Sequence, residues 1–114
     1  MTLELNLLRH FLINVARERT TLPYQGVIKA LGIEAPAMAT LTQALEILQW
    51  QDTLLGRPQI AAVVVQKGQP FPRPGFFQAA RDIGSYQGPD TGTEAEMWHQ
   101  DQVEKTWEFY ALPQ

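Results

Sequence analysis

Two histidines, His10 and His99, and twelve carboxylates are all this 114-residue chain has for proton transfer or metal binding, and their spacing favours neither. Cysteine is absent, which removes disulfides, thiolate metal sites and thiol nucleophiles. Two histidines are too few for a histidine-rich metal centre, so no metal and no cofactor is expected. His10 is followed by Phe11 and reads as a partly covered surface histidine. Asp52 and Asp82 have no recognisable partner, and Ser85, on a loop, has no histidine beside it. Glu94 and Glu96 belong to Thr93-Glu94-Ala95-Glu96, a capping box in which hydroxyl and carboxylate satisfy backbone donors reciprocally, and capping accounts for them. No GxGxxG, P-loop, HExxH or GxSxG pattern occurs. A non-enzymatic protein is the expectation.

Basic residues offer a different chemistry. Arg57, Lys67 and Arg73 surround one stretch, RPQIAAVVVQKGQPFPRPGFF, from Arg57 to Phe77. Gly75 lies where its proline-rich part meets a helix beginning near Phe76. A helix start exposes unpaired N–H groups carrying partial positive charge, so Arg73, Lys67 and Gly75 together would suit a phosphate or a carboxylate. Within the same stretch, the β-branched run Ile60-Ala61-Ala62-Val63-Val64-Val65 predicts a strand, paired over residues 60–66, with at least one buried face. Lys67-Gly68 closes it, and Pro70, Pro72 and Pro74 then exclude regular structure until the helix. Phe71, Phe76 and Phe77 anchor that stiff loop.

The elements that must position this stretch are helical. Leu5, Leu8, Phe11, Leu12 and Val15 recur at spacings of three and four, which predicts an amphipathic helix over 3–17 with Arg9, Arg17 and Arg19 facing solvent. Thr20-Thr21-Leu22-Pro23 is a helix-start signal, Tyr24, Val27, Ile28 and Leu31 form the next stripe, and Gly32 stops it. Gly26 inside that helix costs about 1 kcal/mol relative to alanine, which the close approach of another helix would explain. A third helix over 37–51 buries Met38, Leu41, Leu45 and Leu48 and presents Thr40, Gln43 and Ile47, with Glu46 nearby, on its opposite face. Joined by a short turn, the second and third helices make a helix-turn-helix candidate. Beyond FFQAARDI and Gly84, residues 85–92 read as a linker. The final helix carries Met97, Val103, Trp107 and Tyr110 on one side, with Trp98 and Phe109 near a second. That aromatic content serves either a core or an interface, so Trp98, Trp107 and Tyr110 are interface candidates.

Charge is unevenly spread. Residues 1–81 carry a net +3 and residues 82–114 a net −6, a mildly basic body followed by an acidic segment. No run of about 18 apolar residues occurs, and Met1-Thr2-Leu3-Glu4 lacks a signal-peptide layout, so a cytoplasmic protein is expected.

The stretch 57–77 followed by the helix bearing Trp98 and Trp107 resembles a family of small, uncharacterised bacterial proteins. These have a helical half, a strand, a Lys-Gly turn, a Pro/Gly loop ending in Gly-Phe-Phe and a Trp-bearing last helix. The layout is also similar to the winged helix of alkyltransferase-like DNA-binding proteins, through Thr21-Leu22-Pro23-Tyr24 and the strand introduced by Pro58. Without a cysteine to accept an alkyl group, that likeness implies a scaffold and not alkyl transfer.

The resulting expectation is an α+β, mainly helical fold. A winged-helix-like helix-turn-helix with a small sheet spans residues 1–84, the linker 85–92, and an acidic, Trp-rich C-terminal helix over 93–114 packs on the same domain. The expected function is DNA binding or association, with Thr40 and Gln43 on the reader helix and Arg57, Lys67, Arg73 and Gly75 around the wing. The alternative is a protein-interaction or homodimerisation module that uses the aromatic C-terminal helix and the proline loop. Residues 35–56 contain no Lys or Arg, which weakens a DNA reader, because phosphate contacts supply most of such affinity.

Overall fold

A computed structural model describes residues 3–112. Five α-helices and one two-stranded sheet follow in the order α1 (Leu5–Arg17), β1 (Leu22–Pro23), α2 (Tyr24–Leu31), α3 (Ala37–Leu54), β2 (Val64–Val65), α4 (Pro74–Asp82) and α5 (Thr93–Tyr110). The mainly helical α+β expectation holds, and the first three helices run close to where periodicity places them. No helix among the described residues is long and apolar enough to cross a membrane.

The segment 60–65 is the hub, as the sequence suggests, but most of it is not a strand. Ile60–Val63 forms a 3-10 turn, and only Val64 and Val65 pair, in parallel, with Leu22 and Pro23. All six residues are buried, Ile60–Val63 against α1, α3 and α5, and Val64–Val65 against β1 and α2. Backbone groups here, and those of buried Gln59 just before, find side chains in place of a neighbouring strand. Asp52 Oδ2 accepts the Ile60 N–H at 3.0 Å, Gln102 Oε1 accepts the Gln59 N–H at 3.2 Å, and Thr106 Oγ1 donates to Gln59 O at 3.2 Å. His99 Nε2 lies 2.8 Å from Ala62 O. A buried backbone group must be paired somewhere, and polar residues of α3 and α5 do what a sheet would otherwise do.

Helix boundaries show two further departures. Leu22–Pro23, expected to open a helix, is β1, and α2 begins at Tyr24; proline is tolerated here because the strand is an edge. Gly26 does not meet another helix: a Cβ there would lie 3.0 Å from Leu22 Cγ, so the strand leading into α2 needs the space. The capping box at the start of α5 is not formed. Gly92, at φ 94°, is the cap residue and no side chain caps the helix, so Thr93 is already its first residue. The Glu96 N–H bonds instead to Gly92 O at 3.0 Å. Glu94 and Glu96 still lie in the first turn, where negative charge suits the helix dipole.

The buried face of α5 also differs from the expected one. It runs Ala95, His99, Val103 and Thr106, while Met97 is 68% exposed. Spacings of four, four and three keep these small and polar residues toward 59–62. The hydrophobic signal of Met97 is overridden by its angular position on the helix.

Residues 85–92, expected as a linker, are fastened to the body. Tyr86 is buried, stacks on Trp98 with ring centroids 4.5 Å apart, and donates to Pro89 O at 2.9 Å. Arg81 pairs with Asp90, and Gln78 Nε2 donates to Asp90 Oδ2 at 2.9 Å.

Candidate functional site

The aromatic residues proposed for an interface are used within the chain. Trp98 joins Tyr86, Phe76 and Phe77 in one cluster. Trp107 Nε1 donates to Thr20 O at 3.0 Å, and the Arg19 guanidinium lies 5.3 Å from its ring centroid. Tyr110 is half-buried, its hydroxyl within electrostatic reach of Asp52, Arg9 and Arg57. Burial and the Asp52 charge push that hydroxyl's pKa up, and the two arginines draw it partly back.

Asp52 had no visible sequence partner and turns out to be the ionic centre of the fold. Its fully buried carboxylate receives Arg9 Nη1 at 2.8 Å, Arg57 Nη2 at 3.3 Å and the Ile60 N–H. Arg9, expected in solvent, also donates through Nη2 to Gln51 Oε1 at 3.0 Å. Arg57, expected in an anion site, faces inward, because Gly56 (φ 65°) reverses the chain after α3 and the Arg57 N–H returns to Asp52 O at 2.8 Å. A buried carboxylate needs compensating charge, and two arginines, one from α1 and one from the loop after α3, provide it.

Lys67 and Arg73 remain exposed, but only Arg73 reaches a cavity. That cavity, about 570 Å³, opens between α2, the first half of α3 and the start of α4. Met38, Leu45 and Phe76 form apolar walls, and Glu46, Arg73 and Tyr24 are polar groups on its lining. Gly75 lies in the first turn of α4 beside it, with no atom within 4 Å of where its Cβ would stand. The Arg73 N–H donates to the Tyr24 hydroxyl oxygen at 3.0 Å. Burial pushes the Tyr24 hydroxyl's pKa up, while the Arg73 amide and guanidinium pull it part of the way back, so Tyr24 stays a phenol with a proton to donate.

The outer face of α3 is the second surface. The core takes Leu41, Ala44, Leu45, Leu48, Gln49 and Asp52. Diametrically opposite, Gln43, Ile47, Trp50 and Leu54 follow one another at spacings of four, three and four. Ile47, Trp50 and Leu54 are 45%, 54% and 64% exposed. Trp50 and Leu54 were missed in the sequence, although their spacing from Ile47 is a legible signal. Beside the stripe runs a groove of about 440 Å³ between α3 and the end of α4, lined by Glu46, Ile47, Trp50, Asp82 and Ile83. Thr40, half-buried, and Gln43, exposed, lie on the same side of α3, so the face offered as a DNA reader is apolar in its C-terminal half.

Among the described residues, no group of three or more histidines and carboxylates is placed to hold a metal ion. Compared with known proteins, the chain matches no family model, no curated protein and no solved structure.

Proposed function

We propose that this chain is a non-catalytic protein-interaction module whose docking surface is the outer face of α3, and whose partner is an amphipathic helix with basic flanks. The observation that carries this reading is the exposed Ile47–Trp50–Leu54 stripe. Its four-three-four spacing, counted from Gln43, is that of a coiled-coil seam, in which apolar side chains of one helix enter holes on another. Exposed tryptophan within an apolar stripe is the usual anchor of an interface. Glu46 and Asp82 flank the groove and α3 has no Lys or Arg, so the complementary helix carries Lys or Arg beside its apolar residues. A second copy of α3 would bring acid to acid, which disfavours self-association through this face.

The helix-turn-helix layout of α2 and α3 admits a winged-helix kinship, and DNA binding is the reading that kinship suggests. The charge on α3 favours a protein partner over the phosphate backbone, because a DNA reader draws affinity from basic side chains that this helix lacks. Exposed Lys67 and Arg73 are the basic groups a DNA reading would use.

The test is a titration of the ¹⁵N-labelled chain with a helical peptide of Leu seam and Lys flanks, against the same peptide with Glu flanks. The Lys peptide is expected to shift α3 and α4 resonances around Ile47, Trp50 and Asp82. Ile47→Glu and Trp50→Ala should each weaken that binding at least tenfold. Equal binding of both peptides, or binding untouched by the two variants, would refute the proposed surface. Salt-dependent retention on duplex DNA that survives both variants would favour the DNA reading instead.

A further inference from the structure

We infer that the cavity between α2, α3 and α4 is a binding site for a small apolar monocarboxylic acid, held at its carboxylate by Arg73, Tyr24 and the Gly75 N–H. This site lies on the first half of α3 and the start of α4, apart from the Ile47–Trp50–Leu54 stripe, and the inference stands without it.

Three donors without acceptors belong to residues that line this cavity. The Arg73 guanidinium makes no ion pair or hydrogen bond among the described residues, whereas Arg9, Arg57 and Arg81 are each paired. Tyr24 is 94% buried by its 6% exposure, and its oxygen accepts the Arg73 N–H, so its own proton is left without an acceptor among the described residues. The first turn of α4 begins with Pro74, which has no N–H, and the Phe76 N–H turns back to Arg73 O at 3.0 Å. The Gly75 N–H is a free donor of that turn, with no acceptor among the described residues. A charged donor and two neutral ones beside one cavity match the lone pairs of a carboxylate.

The remainder of the cavity sets the class of acid. Its volume, about 570 Å³, falls in the range of small-molecule sites, and Met38, Ala39, Leu45, Ala61 and Phe76 give the ligand's body an apolar bed. Glu46 lines the same space and repels a second negative charge. A monoanion with an apolar body satisfies these groups, while a phosphate dianion meets the Glu46 charge with nothing apolar to offer the walls.

The experiment is a heteronuclear NMR titration at neutral pH with phenylacetate and octanoate, their neutral amides, and inorganic phosphate. Saturable binding of at least one acid is expected, with shifts centred on Tyr24, Ala39, Gly75 and Phe76. Its amide and phosphate should bind at least tenfold more weakly. Arg73→Gln, a change at an exposed side chain, should cost the acid at least tenfold. Tyr24→Phe should cost a smaller factor, and Ala39→Phe should abolish binding by filling the cavity. Spectra of the free variants, dispersed as in the parent, establish that each is folded. Failure of both acids to saturate overturns the inference. So does equal binding of acid and amide, or tighter binding of phosphate, which would mark a general anion contact at Arg73. Undiminished binding by folded Arg73→Gln overturns the assignment of the carboxylate corner.

Discussion

Asp52 Oδ1 receives Arg9 Nη1 at 2.8 Å across 43 residues of chain, with the carboxylate fully buried. This one contact ties α1 to the end of α3. The second oxygen of the same carboxylate accepts the Ile60 N–H, so the charge also sets where the 3-10 turn begins. Asp52→Asn keeps the shape and removes the charge. Two part-buried arginines would then face a neutral amide, and breaking a buried pair in this way costs about 3–5 kcal/mol. Chemical denaturation of Asp52→Asn should show that loss. Arg57→Gln should cost less, because Arg57 is longer from the carboxylate, at 3.3 Å, and more exposed than Arg9. Asp52→Asn unfolding at the parent's midpoint would remove the carboxylate from its central role.

His99 makes stability depend on pH. Its ring is buried against Phe76 and bonded to Ala62 O, and burial pushes its pKa below the ordinary histidine value, with the Ala62 bond drawing it partly back. The unfolded chain takes up this proton near pH 6.5, the folded chain only at lower pH. Stability from this group is therefore complete above about pH 6.5 and declines as the pH falls toward the folded value, by at most about 1.4 kcal/mol per pH unit. His99→Gln should flatten that part of the profile. Denaturation midpoints of parent and variant between pH 5 and 8 measure it, and parallel profiles would rule the effect out.

The aromatic cluster fastens residues 85–92. Tyr86 stacks on Trp98 at 4.5 Å, and Trp98 continues to Phe76 at 5.7 Å. Truncation of a well-packed tryptophan costs about 3–5 kcal/mol. Trp98→Ala should therefore destabilise the fold in that range and increase amide exchange across residues 85–92. A Trp98→Ala chain that melts with the parent would show that the cluster contributes little.

The outer face of α3 should behave oppositely. Ile47 and Trp50 are about half exposed, so Ile47→Lys and Trp50→Ser should alter stability by no more than about 0.5 kcal/mol. Improved solubility at high concentration should accompany the change, since an apolar stripe is removed from water. A loss of several kcal/mol in thermal melts would place these side chains in the fold itself.

Much of the helical framework is decided locally. Leu8, Leu12 and Val15, or Leu41, Leu45 and Leu48, follow the period of a helix whatever surrounds them, and Gly32 at φ 61° takes the backbone region that glycine enters freely. Residues 60–65 are buried, as a β-branched run requires, but their conformation was set by distant partners. An isolated apolar run of this length asks for backbone hydrogen bonds without specifying their source. Here the source is Asp52 on α3 for Ile60 and His99 on α5 for Ala62, 37 residues away, while Gln102 and Thr106 bond Gln59 just before the run. The same holds for charge. Arg9, Arg57 and Arg73 look alike in the chain, and only packing turns the first two onto a buried carboxylate and leaves the third facing an open cavity. Helix periodicity is a property of neighbours along the chain, whereas the pairing of a buried polar group depends on which elements meet in space.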